Sequence, residues 1–467
     1  MTDPIQILLF GAGSRGRDAY GLYALEHPDE VKIVAVAEPH PIRREQFALT
    51  HHIPPERQFI GWEEALGTGK IADTVINATQ DQIHHPSALA AIAAGYDMLL
   101  EKPIAPTLEQ TVEIIKAAEK AGTILMICHV RRYTDFFENV HRIIQSGQLG
   151  QVINISHSEN VSYFHMAHSY VRGNWRNSKT SAPMILAKCC HDLDLIYWFL
   201  GERCTHLSSV GNLQHFRPEN APPGAPSRCT DGCPAAETCP FYAPRIYLDS
   251  IPIKQAVSQS DRTLFRTIGK LTLNKPALMK SVGRVVPYLQ TLTEYSGWPR
   301  NTITEFPESE DAVLDALSEG PYGRCVYHCD NNVVDHQIVS MLFESGITAT
   351  LTMHGHSHQE GRTLRVDGSR ATLLGKVTYS QSWLEIHDHT SASVQRLTFP
   401  TEVEGAGWHG GGDKGLMDSF VAVLHGEKPP LTSARHSLES HLMAFAAEEA
   451  RLRKKTIVMS EFREKTA

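Results

Sequence analysis

The chain has 467 residues, 42% of them hydrophobic and 21% charged, with a formal net charge of −8. That length points to two domains, and the composition is that of an ordinary globular protein. There is no basic block to suit nucleic acid, no apolar stretch near the ~20 residues of a membrane span, and no signal-peptide pattern before the first core strand, so a cytoplasmic location is expected.

The first element is an apolar strand over 5–10. It runs into Gly11-Ala12-Gly13-Ser14-Arg15-Gly16, and good helix formers follow over 17–25. Strand, G-x-G-x-x-G turn and helix together are the context of a dinucleotide-binding fingerprint. Gly11 permits the tight turn, Gly13 lets the backbone approach a pyrophosphate, and Gly16 lets the helix lie close on the strand. The helix start offers free N–H groups to the phosphates. A second strand over 31–37 ends at Glu38, a little over ~20 residues past the glycines, where such folds bind the ribose 2′-hydroxyl. A carboxylate there repels a 2′-phosphate, so NAD is expected over NADP.

A buried strand over 71–79 leads into Thr79 and His84. An alanine-rich helix over 86–94 stops at Gly95. A short strand over 98–100 delivers Glu101-Lys102-Pro103, a helix over 108–121 is closed by Gly122, and a strand over 124–128 delivers His129. Ligands in open α/β sheets bind beyond the carboxyl ends of the strands. The expected cofactor contacts therefore share one crevice: Gly11, Gly13, Ser14, Arg15, Gly16, Glu38, Thr79, His84, Glu101 and Lys102.

The plan changes after residue 128, the expected domain boundary (1–128 and 129–467). A helix over 135–146 and an alternating strand over 150–162 precede a helical stretch over 181–200. Strands then recur over 333–343, 347–354, 362–366, 384–387 and 394–399, which suggests a mainly antiparallel sheet. Helices over 413–424 and 437–453 close the chain. Between them, 216–331 is rich in Pro, Gly and Cys with little periodicity, and reads as an insertion packed on the second domain. Cys229, Cys233 and Cys239 lie there as C-x3-C-x5-C, three of the four ligands a structural zinc takes. The fourth is open among Cys204, Cys325, Cys329 and His328, and a reduced or disulfide-linked loop is the alternative. The donor-dense stretch 165–177, with His168 and Arg176, suits a carbohydrate or an anionic group. His409, before Gly410-Gly411-Gly412-Asp413, is a further candidate for substrate binding.

The glycine turn, Glu101-Lys102-Pro103 and His191-Asp192-Leu193-Asp194 together resemble the Gfo/Idh/MocA family, which includes glucose–fructose oxidoreductase and inositol dehydrogenase. The resemblance implies an α/β protein: an N-terminal Rossmann domain, then an α/β domain whose open sheet supports homo-oligomers, dimers or tetramers. It implies a nicotinamide cofactor and a sugar or polyol substrate. Lys102 falls on the family's site lysine, which bonds the reacting hydroxyl. Pro103 falls on a proline with an unusual peptide bond in many relatives. His191 falls on the family's histidine, a general base whose ordinary pKa near ~6.5 suits the task. Where many relatives have Asp four residues earlier, this chain has Ala187. Lys188 can share the face of His191 instead, giving a catalytic set of Lys102, His191 and Lys188, with Asp194 beside it for substrate. Two ammonium groups would depress all three pKa values and favour a carboxylate, a sulfonate or an enediolate. Two enzymatic readings result. One is NAD-dependent oxidation of a sugar, sugar acid or polyol. The other is a glycoside hydrolase or epimerase with resident NAD, working through oxidation, elimination and reduction. A non-catalytic nucleotide-binding scaffold is a third reading, disfavoured by the presence of Lys102 and His191.

Overall fold

The computed structural model describes residues 3–404 and 408–465. The first strand, β1 (Ile5–Phe10), is almost wholly buried, the mark of a parallel strand covered on both faces. It lies at the centre of a six-stranded sheet with β2 (Val31–Ala37), β3 (Gln58–Phe59), β4 (Thr74–Asn77), β5 (Asp97–Leu100) and β6 (Leu125–Ile127). The order is β3-β2-β1-β4-β5-β6, and every pairing is parallel. The order reverses between β1 and β4, which opens a crevice at the carboxyl edge. The first helix is wound wide over Arg15–Gly21 and regular over Leu22–Glu26. The alanine-rich helix spans Asp81–Ala93 rather than starting at Pro86. Pro86 sits inside it and forfeits one backbone bond. The Leu108–Ala121 helix ends at Gly122, whose φ of 71° closes it.

The second sheet has nine strands: β7 (Val152–Ser162), β8 (Cys204–Asn212), β9 (His336–Phe343), β10 (Thr348–Ser357), β11 (Gly361–Gly368), β12 (Ala371–Thr378), β13 (Ser382–Asp388), β14 (Val394–Thr398) and β15 (Ile457–Val458). Their order is β14-β13-β12-β11-β7-β10-β9-β8-β15. Only the β7–β10 pairing is parallel. One face packs on the helices and the other is open: β9 alternates, with Ile338 and Leu342 exposed and Val339 and Phe343 buried. The expected helix over 181–200 is two, Met184–Ala187 and Cys190–Leu200, and Lys188 stands in the break.

Two features depart from the expected plan. The insertion is largely helical, including Ile251–Ser258, Thr263–Asn274 and Glu310–Glu319. It also touches the first sheet's rim. The helix Gly412–Leu424 returns to the first sheet: Leu416, Met417 and Phe420 share a core with Ile7, Leu9 and Met126. Among the described residues no helix is long and apolar enough to cross a membrane.

Candidate active site

The glycine turn has the shape a dinucleotide needs. Gly11 has a φ of +83°, and a Cβ there would lie 2.8 Å from the Ala78 carbonyl; a Cβ on Gly16 would lie 2.0 Å from the Gly11 carbonyl. Gly13 faces open space, with nothing within 4 Å of its missing Cβ. This bare backbone fits a pyrophosphate. Glu38 stands at the end of β2, and its carboxylate accepts from Ala12 N (2.8 Å) and His40 N (3.0 Å), fixed where a ribose hydroxyl would meet it. Arg15 does not point at the open side of the turn. Its guanidinium binds Glu101 at 2.6 Å and Asp413 at 2.7 Å, while Tyr20 Oη donates to Glu101 at 2.6 Å. Burial opposes the charge on Arg15, but Asp413 and Glu101 outweigh it and raise its pKa. Ser14 donates to Asp18 at 3.2 Å.

Lys102, His191 and His129 meet at the end of β5. The Lys102–Pro103 bond is cis. Lys102 Nζ donates to the Ala187 carbonyl at 2.9 Å. The helix break leaves that carbonyl free, so the main chain supplies an acceptor where many relatives were expected to have a carboxylate. An ammonium has three donors, so two remain. His191 is buried at 8% exposure, and its Nδ1 has no partner among the described residues. Burial, then Lys102 and His129, push its pKa well below the ordinary value. His129 packs edge-on to it, centroids 5.6 Å apart; neither of its ring nitrogens has a hydrogen-bond partner among the described residues, though Nε2 lies 3.7 Å from Asp194. Burial lowers His129 to about 3.

This geometry, a parallel sheet with a reversed order, a bare glycine turn and a lysine at the next strand end, agrees with what family comparison finds. A model of an oxidoreductase family with an NAD-binding Rossmann fold matches residues 5–129, and the Gfo/Idh/MocA C-terminal domain model matches residues 137–229. The chain belongs to the Gfo/Idh/MocA family. Inositol 2-dehydrogenase of Corynebacterium glutamicum is 25% identical over 44% of this chain and 56% of its own length. The 2,7-anhydro-N-acetylneuraminate hydratase of Escherichia coli is 27% identical over 33% of this chain and 41% of its own. The chain spans about half the length of the curated relatives it matches. Among solved structures, an oxidoreductase from Agrobacterium radiobacter in complex with NAD+, L-tartaric acid and magnesium superposes with a TM-score of 0.63 at 13% identity, covering 98% of this chain and 99% of that one. That likeness shows the fold.

Within the Gfo/Idh/MocA frame several expected site residues have other work. Lys188 is not a second free ammonium: Nζ lies 2.9 Å from Glu360 and 3.5 Å from Glu159. Burial lowers its pKa, but Glu159 and Glu360 outweigh burial and raise it; the expected depression is wrong for this lysine. Asp194 is buried and forked onto Arg132, both contacts 2.7 Å, so it braces the β6 turn. His84 spans the carbonyls of Pro103 (2.8 Å) and Thr79 (3.1 Å) and ties two strand ends together. Thr79 is turned onto Asn77 Oδ1 at 2.7 Å. His168 bonds Tyr247 at 2.8 Å and Thr302 at 3.2 Å and anchors the insertion. Arg176 binds Asp330 at 2.7 Å. The zinc expectation gains no support: among the described residues no group of three or more His, Cys, Asp or Glu side chains is placed to hold a metal ion. Cys229, Cys233, Cys239 and Cys325 line a narrow cleft with Arg172. Arg172 is fully buried, with Nη2 3.5 Å from Cys229 Sγ, and a guanidinium among thiols disfavours a second cation.

His409 lines a cavity of about 220 Å³ with Arg131, Glu360, Arg362 and Glu402, and its Nδ1 lies 2.9 Å from Asp413. Of these, Arg131 was within reach of the sequence: the sheet-edge rule that singles out His129 extends two residues to it. Glu360 lies in a loop and Glu402 starts a single helical turn, Glu402–Glu404, with no motif to mark either.

Proposed function

We propose that the protein is an NAD-dependent oxidoreductase that oxidises a carbinol of a polyhydroxylated substrate. The observation that carries this reading is Lys102, held by the Ala187 carbonyl beside His191 at the carboxyl edge of the NAD-binding sheet. Bound NAD would supply the hydride acceptor; Gly13 and Glu38 would hold its pyrophosphate and adenosine ribose. Glu38 supports NAD over NADP, and the neighbouring Arg43, which could have met a 2′-phosphate, is committed to Glu305 at 2.6 Å. The two remaining N–H groups of Lys102 orient the substrate hydroxyl. Neutral His191 accepts its proton, and the cation that results is short-lived, because burial and Lys102 disfavour it. Relatives named as inositol 2-dehydrogenases support a sugar or polyol as substrate. The experiment is a panel of polyols, sugars and sugar acids with NAD+, followed at 340 nm. NADH formation is expected with at least one. Purified protein that binds no NAD(H) by calorimetry would end this reading.

A second reading rests on Glu305. From the insertion it reaches both sides of the adenosine end of the crevice: Arg43 after β2 at 2.6 Å and Arg17 after the glycine turn at 3.8 Å. Asn301 adds a bond to Asp18 at 3.3 Å. A strap there would slow NAD release and suit a cycle in which NAD is oxidant and then reductant, as an internal oxidation–elimination–reduction requires. The hydratase among the relatives agrees with it. Nucleotide retained through gel filtration and released by Glu305→Ala would support this; wild-type protein that exchanges NAD within seconds would sink it. We also propose homo-oligomers through the open face of the second sheet, to be checked by light scattering of wild type and Ile338→Asp.

A further inference from the structure

The turn that leaves β6 carries two arginines with different fates. Arg132 is forked onto Asp194. Arg131 has one hydrogen bond among the described residues, a long one from Nη1 to the His409 carbonyl at 3.5 Å. Its side chain borders the 220 Å³ cavity, and the other charges on that wall are already matched. Glu360 holds Lys188 and His165, each at 2.9 Å. Arg362 holds Asp192 at 2.7 Å, together with Glu159. Glu402 is an incomplete counter-ion: burial lifts its pKa to about 7, so it is half neutral near that pH. Arg131 is half-buried; a cation so placed with no carboxylate paired to it is costly, and a guanidinium with open N–H groups is a fork made for a planar oxyanion.

We infer that Arg131 is the carboxylate-binding residue of the substrate cavity, and that the preferred substrate is a sugar acid, a polyhydroxylated chain or ring bearing one carboxylate. This rests on the oxidoreductase reading above. The cavity adjoins the site on two sides. Arg131 follows His129 by two residues, and the His129 ring packs on His191; His409, whose carbonyl meets Arg131, touches Arg15 of the glycine turn at 3.5 Å. A phosphate dianion suits the cavity less well. It would need more than one free cation, and Glu360 on the same wall repels the second charge.

The test pairs acids with neutral relatives: gluconate and glucuronate against glucose and myo-inositol. Wild type is expected to favour an acid in kcat/KM. Arg131→Gln is expected to lower the acid-to-neutral ratio roughly 10- to 100-fold, chiefly through KM, with partial recovery in Arg131→Lys. A ratio unchanged by Arg131→Gln overturns the inference. Binding is read separately, in protein saturated with NADH. There the acids should raise the melting temperature of wild type and not of Arg131→Gln. No such shift overturns the carboxylate site whatever the turnover. A shift without any turnover upholds the site and overturns the oxidoreductase reading.

Discussion

In the proposed reaction Lys102 and His191 would divide the work of one proton between a donor that orients and an imidazole that receives. The main chain holds the lysine through Ala187, so its aim depends on a helix break rather than on a carboxylate. Lys102→Ala is expected to lower kcat by roughly 10²–10⁴ while NAD affinity stays near wild type by fluorescence titration; unchanged turnover would remove the proposed site. The histidines behind it make the fold acid-sensitive. His129 and His441 are fully buried, and burial lowers them to about 3 and about 4. In the unfolded chain each titrates near ~6.5. Their folded pKa values are depressed, so the stability of the neutral pair is complete above that pH. It is lost as pH falls toward 4, where the unfolded chain takes up protons the folded chain refuses. Each histidine can cost up to about 1.4 kcal/mol per pH unit in that window. Melting temperatures at pH 7.5, 6 and 5 should fall in order, and a flat profile would contradict the burial argument.

At the scale of elements, the break between Met184–Ala187 and Cys190–Leu200 decides what Lys188 does. In an unbroken helix it would face the site with His191; in the break it crosses to β7 and the loop before β11, where Glu159 and Glu360 wait. Lys188→Met leaves two buried carboxylates short of a partner and should cost up to roughly 3–5 kcal/mol in urea unfolding. Adding Glu360→Gln should restore part of that loss, and additive effects would speak against the pairing. This break also marks the limit of what the sequence tells. The glycine turn, Glu38 and the strand before Glu101 are local patterns, and they lie where the pattern puts them. Lys188, Asp194, His84, His168 and Arg176 are polar residues in suggestive places, and each is claimed by a partner far along the chain: Glu360, Arg132, Pro103, Tyr247 and Asp330. No spacing rule reveals such partners. Strands β8 and β12 carry little sequence signal because polar and glycine residues interrupt their alternation, and pairing on both sides overrides that weak local preference.

Across the whole molecule, the crevice is enclosed by pieces from distant parts of the chain. The insertion reaches the adenosine end through Glu305, the second sheet supplies the cavity wall beside Arg131, and the Gly412–Leu424 helix covers the first sheet. The chain thus encodes its nucleotide-binding unit in two instalments, with the second sheet and the insertion between them. The glycine turn itself is completed by the later one, since Arg15 answers to Asp413. On the ribosome, the first six strands emerge with one apolar face covered only in part, by Tyr20, Tyr23 and Phe47, and they must wait for nearly three hundred residues before Leu416, Met417 and Phe420 arrive to complete the cover over Ile7, Leu9 and Met126. A nascent sheet in that state is a natural client for a chaperone. A fragment ending at residue 130 should therefore be insoluble or bind hydrophobic dyes. The same fragment extended through a short linker into 412–424 should be recovered in soluble form, and a fragment that is soluble without the helix would show that the helix is dispensable to the sheet.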